Sequence, residues 1–256
     1  DRYGIITPQR LDNGYRIYSE DEVALLKKII KLTEAGHSVK QAATLVQQPE
    51  DTTENPQTLI DQTNHFLLAL EEAGVVADDK KIMHLSEQAH HLFGVEATME
   101  QIIVPFLRRI GELWCEKKWG EYQEAISSQT IRDFLANLRR HFYIHENAPL
   151  VVGSCLPNER HEIPMQILLV QCMLRGYRTL MLGPAPAPTA IESTVSLTNP
   201  TIVLLTGSTH AVWEDNGEAL QTLDAFAKTM PHVKFFIGGA GVKNIVQQFE
   251  LEAIQE

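Results

Sequence analysis

The loop after the first apolar segment of the C-terminal half carries the side chain best placed to bind a ligand. Residues 150–152 predict a buried strand, residues 153–159 a loop, and residues 163–174 a helix. His161 therefore falls in the loop or first helical turn at the carboxyl end of this strand, where open α/β sheets bind their ligands. A single histidine in such a place is also typical of an ordinary surface loop. The segments that follow decide between the two interpretations.

Strands and helices alternate regularly after His161. The predicted strands cover residues 179–183, 201–206 and 233–239, and the predicted helices cover residues 190–196, 217–229 and 242–252. Strands separated by helices predict right-handed crossovers and a parallel, doubly wound sheet. The carboxyl ends of such strands meet at one edge. We therefore expect His161, the segment 206–208 and the pair Gly238–Gly239 to surround one ligand crevice.

The middle of the chain is predicted to be helical throughout. Apolar residues such as Ile102, Phe106, Ile110 and Leu113 recur at helical spacing and predict a four-helix bundle. Its helices are expected at residues 58–73, 80–93, 97–116 and 121–142. Adjacent histidines at 90 and 91 point to different helix faces, so a solvated or partly buried pair is favoured over a metal site.

The N-terminal region predicts a β-hairpin followed by helices. Asn13-Gly14 is a strong turn signal within residues 3–19. Ser19 and Glu22 have the spacing of a capping box, which starts a helix that ends at Gly36. A second, shorter helix is expected over residues 38–45, and a polar linker follows it.

Charge is distributed unevenly along the 256 residues. The formal net charge is -11, yet residues 1–47 contain seven basic and six acidic side chains, about +1, and the remainder carries about -12. This balance is compatible with nucleic-acid binding by the N-terminal region alone. Three cysteines without paired spacing indicate a reducing, cytoplasmic setting, and no apolar run reaches the length of a membrane helix. No motif for hydrolysis or phosphoryl transfer is present, so an enzyme is not expected.

The first 47 residues resemble the MerR-type winged helix-turn-helix regulators. The resemblance rests on a Pro-x-Arg, a Gly-Tyr-Arg-x-Tyr-Ser wing and a Gly-x-Ser turn, which begin here at Pro8, Gly14 and Gly36. It implies that operator DNA is the partner, and that the helix-turn-helix entering the major groove precedes Asp1. The resemblance also implies that Arg10, Tyr15, Arg16 and Tyr18 contact the DNA backbone. Such contacts fix the register of the protein on DNA without reading the base sequence.

The C-terminal region resembles cobalamin-binding domains. Their three signatures are an acidic residue-x-His-x-x-Gly, a Ser-x-Leu and a Gly-Gly, and the matching segments here begin at Glu159, Thr206 and Gly238. Pro164 replaces the glycine of the first signature, and Ser208 the leucine of the second. The resemblance implies that His161 is the lower cobalt ligand and that Glu159 orients it. Thr206 and Ser208 would lie near the nucleotide tail of the cofactor, with Gly238 and Gly239 as its floor.

The helical region resembles the bundle of the CarH/LitR group of light-responsive regulators, in which a Trp-His pair precedes a Gly and a Glu-His pair. Trp114 and Glu124 match, which implies that the indole covers the upper face of adenosylcobalamin and that the glutamate binds its ribose. Cys115 and Ala125 replace the two histidines. Glu121 stands where an apolar residue is expected. The group's photoproduct, with two histidines on cobalt, cannot form here in the same way.

These resemblances occur in the same order as in that group. They predict a partial winged DNA-binding domain (1–47), a linker (48–57), a four-helix bundle (58–147) and a Rossmann-like, flavodoxin-type cobalamin-binding domain (148–256). The expected protein is a homo-oligomeric transcriptional regulator that senses a corrinoid, with adenosylcobalamin as the expected form and light as a possible input. Two alternatives stay open. One is a regulator whose altered pocket binds another ligand or none, and the other is a corrinoid shuttle protein for a methyltransferase.

Overall fold

The computed structural model describes residues 9–10, 16–17, 19–34, 39, 42–43, 56–209, 217–243 and 245–256. The chain forms two compact units, residues 1–124 and residues 125–256. Each helix in the described ranges is too polar or too short to span a bilayer.

The N-terminal hairpin is present in the two short strands that the structure describes. Strand β1 (Gln9–Arg10) pairs antiparallel with β2 (Arg16–Ile17), with Arg10 opposite Arg16. The predicted Asn13-Gly14 turn lies outside the described residues.

Helix α1 (Glu20–Glu34) begins with the predicted capping box. The backbone N–H of Ser19 donates to Glu22 Oε2 at 2.8 Å, and the N–H of Glu22 donates to Ser19 Oγ at 3.2 Å. Two of the N–H groups that a helix start leaves unpaired are thereby satisfied. The predicted helix end at Gly36 lies outside the described residues. Of the second predicted helix, residues 39, 42 and 43 are described, and all three are helical.

Three helical segments pack against one another in the first unit, and a fourth helix begins there and continues into the second unit. They are α2 (Pro56–Val75), α3 (Asp79–Thr98), α4 (Val104–Cys115), which follows a π-helical turn at Met99–Ile103, and α5 (Glu121–Arg140). The predicted break at residue 94 is a kink inside α3, where Gly94 has φ 77°. Positive φ at this position suits glycine because it has no Cβ.

The apolar positions predicted for the bundle core are buried, but the two neighbouring tryptophans behave differently. Ile102, Phe106 and Ile110 are at most 2% exposed. Trp119 is also buried and lies on Gly74, where a Cβ would come within 2.2 Å of the indole ring. Trp114, by contrast, is 52% exposed. Its indole therefore does not contribute to the core of the first unit.

The second unit contains a five-stranded parallel sheet in the order β4-β3-β5-β6-β7. Numbered within the unit, this is the flavodoxin-like order 2-1-3-4-5, as predicted. The strands are β3 (Leu150–Cys155), β4 (Arg178–Met181), β5 (Ile202–Thr206), β6 (Lys234–Gly238) and β7 (Ile254–Gln255). The helices are α6 (Ile163–Leu174), α7 (Pro188–Thr198), α8 (Glu218–Lys228) and the short α9 (Ile245–Gln248).

The predicted closing helix over residues 242–252 is wrong. The segment consists of a 3₁₀ turn (Ala240–Val242) and α9, and the chain then joins the sheet as β7. The buried carboxylate of Asp224 on α8 stabilises this path of the chain. It accepts hydrogen bonds from the backbone N–H groups of residues 252, 253 and 254 at 2.9 to 3.3 Å. This contact joins distant positions, so local periodicity could not reveal it.

Replacing Asp224 with alanine should destabilise the second unit by about 2–4 kcal/mol, because up to three buried N–H groups lose their acceptor. Urea unfolding measures this loss, and amide exchange at residues 252–254 should accelerate with it. The exposed Gln221 on the same helix provides the control, since Gln221→Ala removes no such acceptor and should leave both readouts unchanged.

The same carboxylate makes a pH-dependent contribution. Burial by itself raises the pKa of Asp224, but the N–H groups of residues 252–254 and the Lys228 ammonium hold it below the ordinary 3.8. A depressed pKa in the folded state means that the stabilisation is full above the unfolded-state pKa and is lost as the pH falls through the folded-state value. The difference in stability between wild type and Asp224→Ala should therefore shrink below about pH 4. A difference that stays constant down to pH 2 would contradict this assignment.

Candidate functional site

The three predicted loops meet at the carboxyl edge of the parallel sheet. Backbone hydrogen bonds join each loop to the next: Leu156 N donates to Thr206 O at 2.8 Å, and Gly207 N donates to Gly238 O at 3.0 Å. The loop that carries His161 is also held on its other side, where Ala185 N donates to Glu159 O at 2.7 Å. The sheet therefore brings the residues from 159–161, 206–208 and 238–239 together, as the alternating pattern predicts.

A single carboxylate, that of Glu159, links two of these loops. Its side chain is fully buried and accepts five hydrogen bonds. Oε1 accepts from the backbone N–H of His161 and from its ring Nδ1, both at 2.7 Å. Oε2 accepts from Ser208 N at 2.5 Å, Thr209 N at 2.9 Å and Thr209 Oγ1 at 3.2 Å. Burial of this charge is tolerable because both oxygens are satisfied.

The protonation state of Glu159 determines what the imidazole can do. Burial by itself raises the pKa of Glu159, but the hydrogen bonds from His161, Thr209 and Ser208 outweigh it and hold the pKa below its ordinary value. A carboxylate at Nδ1 requires the hydrogen of a neutral imidazole to reside on Nδ1, which leaves a lone pair on Nε2. The His161 side chain is 63% exposed, and none of the described residues hydrogen-bonds to Nε2. This nitrogen is therefore available to an electrophile such as a metal ion.

Thr206 lies in the site but does not contact Glu159. Its hydroxyl donates to the Cys155 thiol at 3.8 Å, and that thiol donates to the backbone oxygen of His161 at 3.7 Å. Burial raises the pKa of Cys155 to about 11, so the sulfur stays protonated and is a poor metal ligand. The hydroxyl that donates a hydrogen bond to Glu159 belongs to Thr209, which was not predicted from the sequence. The available signal was a third hydroxyl residue in this segment, three positions after Thr206 and directly after Ser208.

The two glycines at the end of β6 differ in what surrounds them. Gly239 has φ 118°, and a Cβ there would lie 2.3 Å from the backbone oxygen of Gly207. The close approach of the two loops therefore requires glycine at this position. A Cβ at Gly238 would have no neighbour within 4 Å, so it faces open space.

The remaining predicted cofactor contacts belong to the first unit. Trp114 is exposed near the end of α4, and Glu124 is half-buried in the first turn of α5. Cys115 and Glu121 are also exposed. In the described ranges, no group of three or more His, Cys, Asp or Glu side chains is arranged to hold a metal ion. That result gives the histidine pair at 90 and 91 no support as a metal site.

Only part of the predicted DNA-binding surface is described. Arg10 and Arg16 are paired backbone positions of the hairpin. Tyr15 and Tyr18 lie outside the described residues. The register therefore places two of the four predicted residues side by side.

Comparison with known proteins gives family matches for the N-terminal region and for the central helical region. Residues 1–49 match the MerR HTH family of regulatory proteins, and residues 67–139 match the B12 binding domain family. The HTH-type transcriptional repressor CarH of Myxococcus xanthus is 25% identical over 259 residues, which cover 95% of this chain and 83% of CarH. The repressor CarA of the same organism is 24% identical over 244 residues, covering 94% of this chain and 80% of CarA.

Taken together, these matches support a MerR-type regulator with a cobalamin-binding domain of the CarH type. Both of these curated relatives are transcriptional repressors. The matches support a cobalamin-sensing transcriptional regulator. They also explain why the N-terminal hairpin and the helical bundle occur in one chain.

A solved structure supports the fold of this regulator. The Methanosarcina barkeri monomethylamine corrinoid protein is similar with a TM-score of 0.54 at 15% identity, over 73% of this chain and 90% of that protein. At this identity the similarity concerns the architecture alone.

Replacing Glu159 with glutamine should destabilise the second unit by about 3 kcal/mol, because an amide nitrogen then faces buried N–H donors. Urea unfolding at pH 7 measures the loss. The exposed Glu146 provides a matched control, since Glu146→Gln changes the same groups without a buried partner. Equal stabilities for the two variants would contradict the assigned role of Glu159. Its depressed pKa also means that its contribution is full above the unfolded-state value near 4.5 and is lost at lower pH.

Proposed function

We propose that this regulator senses adenosylcobalamin by placing His161 on the cobalt as the lower axial ligand, and that the bound state controls its oligomeric state on operator DNA. One observation carries the proposal: the buried Glu159 carboxylate holds Nδ1 of His161 at 2.7 Å while the ring stays 63% exposed. This geometry fixes the tautomer and the orientation of a metal-binding imidazole.

The residues at the carboxyl edge of the sheet fit this cofactor. Adenosylcobalamin supplies a cobalt centre that accepts an axial nitrogen, together with a cobalt–carbon bond that light can break. His161 offers a neutral nitrogen donor, and imidazole is a common ligand of transition metals. The Cys155 thiol does not compete, because burial keeps its pKa at about 11. The exposed nitrogen of His161 is therefore the ligand that we assign.

We assign the neighbouring loops to the nucleotide tail of the cofactor. Open space at Gly238 supports a bulky group beside this strand end, and the closely packed Gly239 fixes the loop beneath it. Ser208 and Thr206 supply polar groups in the adjacent loop. Pro164 is exposed in the first turn of α6, where proline costs no backbone hydrogen bond. Its ring therefore does not argue against tail insertion.

In the first unit, we assign Trp114 and Glu124 as contacts to the adenosyl side of the ligand. The exposure of Trp114 supports this role, because an indole with no core function is free to cover a planar ligand. Cys115 and Ala125 stand where the group described above has histidines. A light response in this regulator would therefore not end with a second histidine on cobalt from those positions.

The output that we propose follows from linkage. A ligand that binds one arrangement of the C-terminal regions more tightly shifts the population toward it. If the oligomeric state differs in that arrangement, the number and spacing of the N-terminal DNA-binding domains change. We expect this to take place in the cytoplasm. Several linked DNA-binding domains raise the avidity for DNA without any new base contact. In each DNA-binding domain, we assign the contacts to the DNA backbone to Arg10, Tyr15, Arg16 and Tyr18.

Titration with adenosylcobalamin and hydroxocobalamin in the dark tests the ligand assignment. The absorption spectrum should show the cofactor's own base displaced and a histidine bound in its place. His161→Ala should abolish this spectrum and weaken binding by about 10-fold or more, since metal-site ligands and their supports are worth factors of this size. His232 is the control, because it is an exposed histidine in the same unit whose Nε2 pairs with Asn199. Cobalamin that keeps its own base in the wild type would contradict the proposal.

A steric probe tests the tail assignment independently. Gly238→Val should fold normally, because a Cβ at this position meets no neighbour within 4 Å. It should nevertheless weaken cobalamin binding, since the new side chain occupies the space assigned to the tail. Thermal unfolding without ligand provides the folding control, and size-exclusion chromatography of the same samples gives the oligomeric state. Unchanged affinity in a folded Gly238→Val variant would place the tail elsewhere.

A further inference from the structure

The residue after His161 forms an ion pair with helix α5 inside the second unit. Arg132 Nε lies 2.7 Å from Glu162 Oε1, and the two side chains are 31% and 14% exposed. The Nε–H is not aligned for a hydrogen bond, so the contact is electrostatic. Because the pair is largely withdrawn from water, its attraction is screened less than that of a surface pair.

The charge of the same carboxylate also acts on a second arginine of α5. Arg139 is one to two turns after Arg132 on α5 and is partly buried, and among the described residues its buried Nε has no hydrogen-bond partner. Burial lowers its pKa, Glu162 acts to raise it, and Arg140 acts to lower it further. Glu162 is thus the ion-pair partner of Arg132, and its charge also acts on Arg139. A buried cation without a counter-charge is costly, so the carboxylate is held firmly toward α5.

The position of Glu162 in the chain gives this contact its importance. Glu162 is the N-cap residue of α6, yet its side chain makes no capping hydrogen bond. Its backbone oxygen accepts from Gln166 N at 3.0 Å and so begins the helix. On the other side of His161, Glu159 ties the loop to residues 208 and 209. The His161 backbone is therefore fixed from both directions, by the sheet-end loops and by α5.

We propose that Glu162 is a positioning residue for His161, and that its ion pair with Arg132 sets where the loop holds the imidazole. The proposal rests on the function proposed above, in which His161 binds cobalt. It also gives α5 a direct influence on that ligand, because a shift of the helix moves Arg132 and with it the residue adjacent to His161.

Hydrogen exchange in the ligand-free protein tests the positioning role without any cofactor. In Glu162→Gln, the amides of His161 and Gln166 should exchange about ten-fold faster, because the loop loses its ion pair with Arg132 on α5. Arg132→Met should also accelerate exchange at these two amides, because Glu162 then loses its ion-pair partner on α5. The double variant should exchange no faster than Glu162→Gln, because the two residues act as one pair. Arg140→Met, an exposed change on the same helix, is the control and should leave both amides unchanged.

Titration with hydroxocobalamin supplies the second readout. Glu162→Gln should lower the fraction of bound cobalamin that carries histidine on cobalt, and Glu162→Asp should restore part of it. Unchanged exchange, or additive effects of the two single variants, would overturn the positioning role even if His161 binds cobalt. A wild-type protein that never places histidine on cobalt would instead overturn the proposed function, and the exchange data would still decide whether Glu162 orders the loop.

Discussion

The structure of the candidate site depends on one buried carboxylate. Glu159 is fully buried, and such a charge is tolerated only because five donors surround it. Three of these donors come from residues 208 and 209, almost fifty positions further along the chain. The other two come from His161. The same interaction therefore closes the carboxyl edge of the sheet, fixes the imidazole tautomer and leaves Nε2 exposed to a ligand.

Structural and functional demands coincide at this edge. The flavodoxin-like order brings the ends of β3, β5 and β6 side by side, and the glycine at 239 lets two loops approach closely. Thr206 donates to the Cys155 thiol, and this thiol donates to the backbone oxygen of His161. The exposed ring of His161 and the open space at Gly238 lie on the outward-facing side of these loops. These strand-end loops hydrogen-bond to one another and expose one imidazole nitrogen. Such an arrangement is suited to holding a metal complex in a fixed orientation.

The sequence was informative wherever a signal was local. The capping box at Ser19, the first four strands of the parallel sheet and the pairing of Glu159 with His161 could all be predicted from short segments or from a resemblance. Contacts between distant residues could not. No local pattern around Asp224 indicates that it binds the backbone of residues 252–254, and β7, which follows the helix predicted over residues 242–252, was consequently not predicted. Thr209, Arg132 and Glu162 were missed for the same reason, because their roles arise only when separate loops and helices meet.

The account makes one central claim, that the nitrogen on the cobalt comes from a histidine of this protein. Electron paramagnetic resonance of bound cob(II)alamin tests it directly with protein whose histidines carry nitrogen-15, because the axial nitrogen splits the signal of the unpaired electron. A histidine ligand should convert the triplet produced by ordinary nitrogen-14 into a doublet, and the conversion should be lost in His161→Ala. A triplet that persists in the labelled wild-type protein would show that cobalamin keeps its own base and would contradict the account.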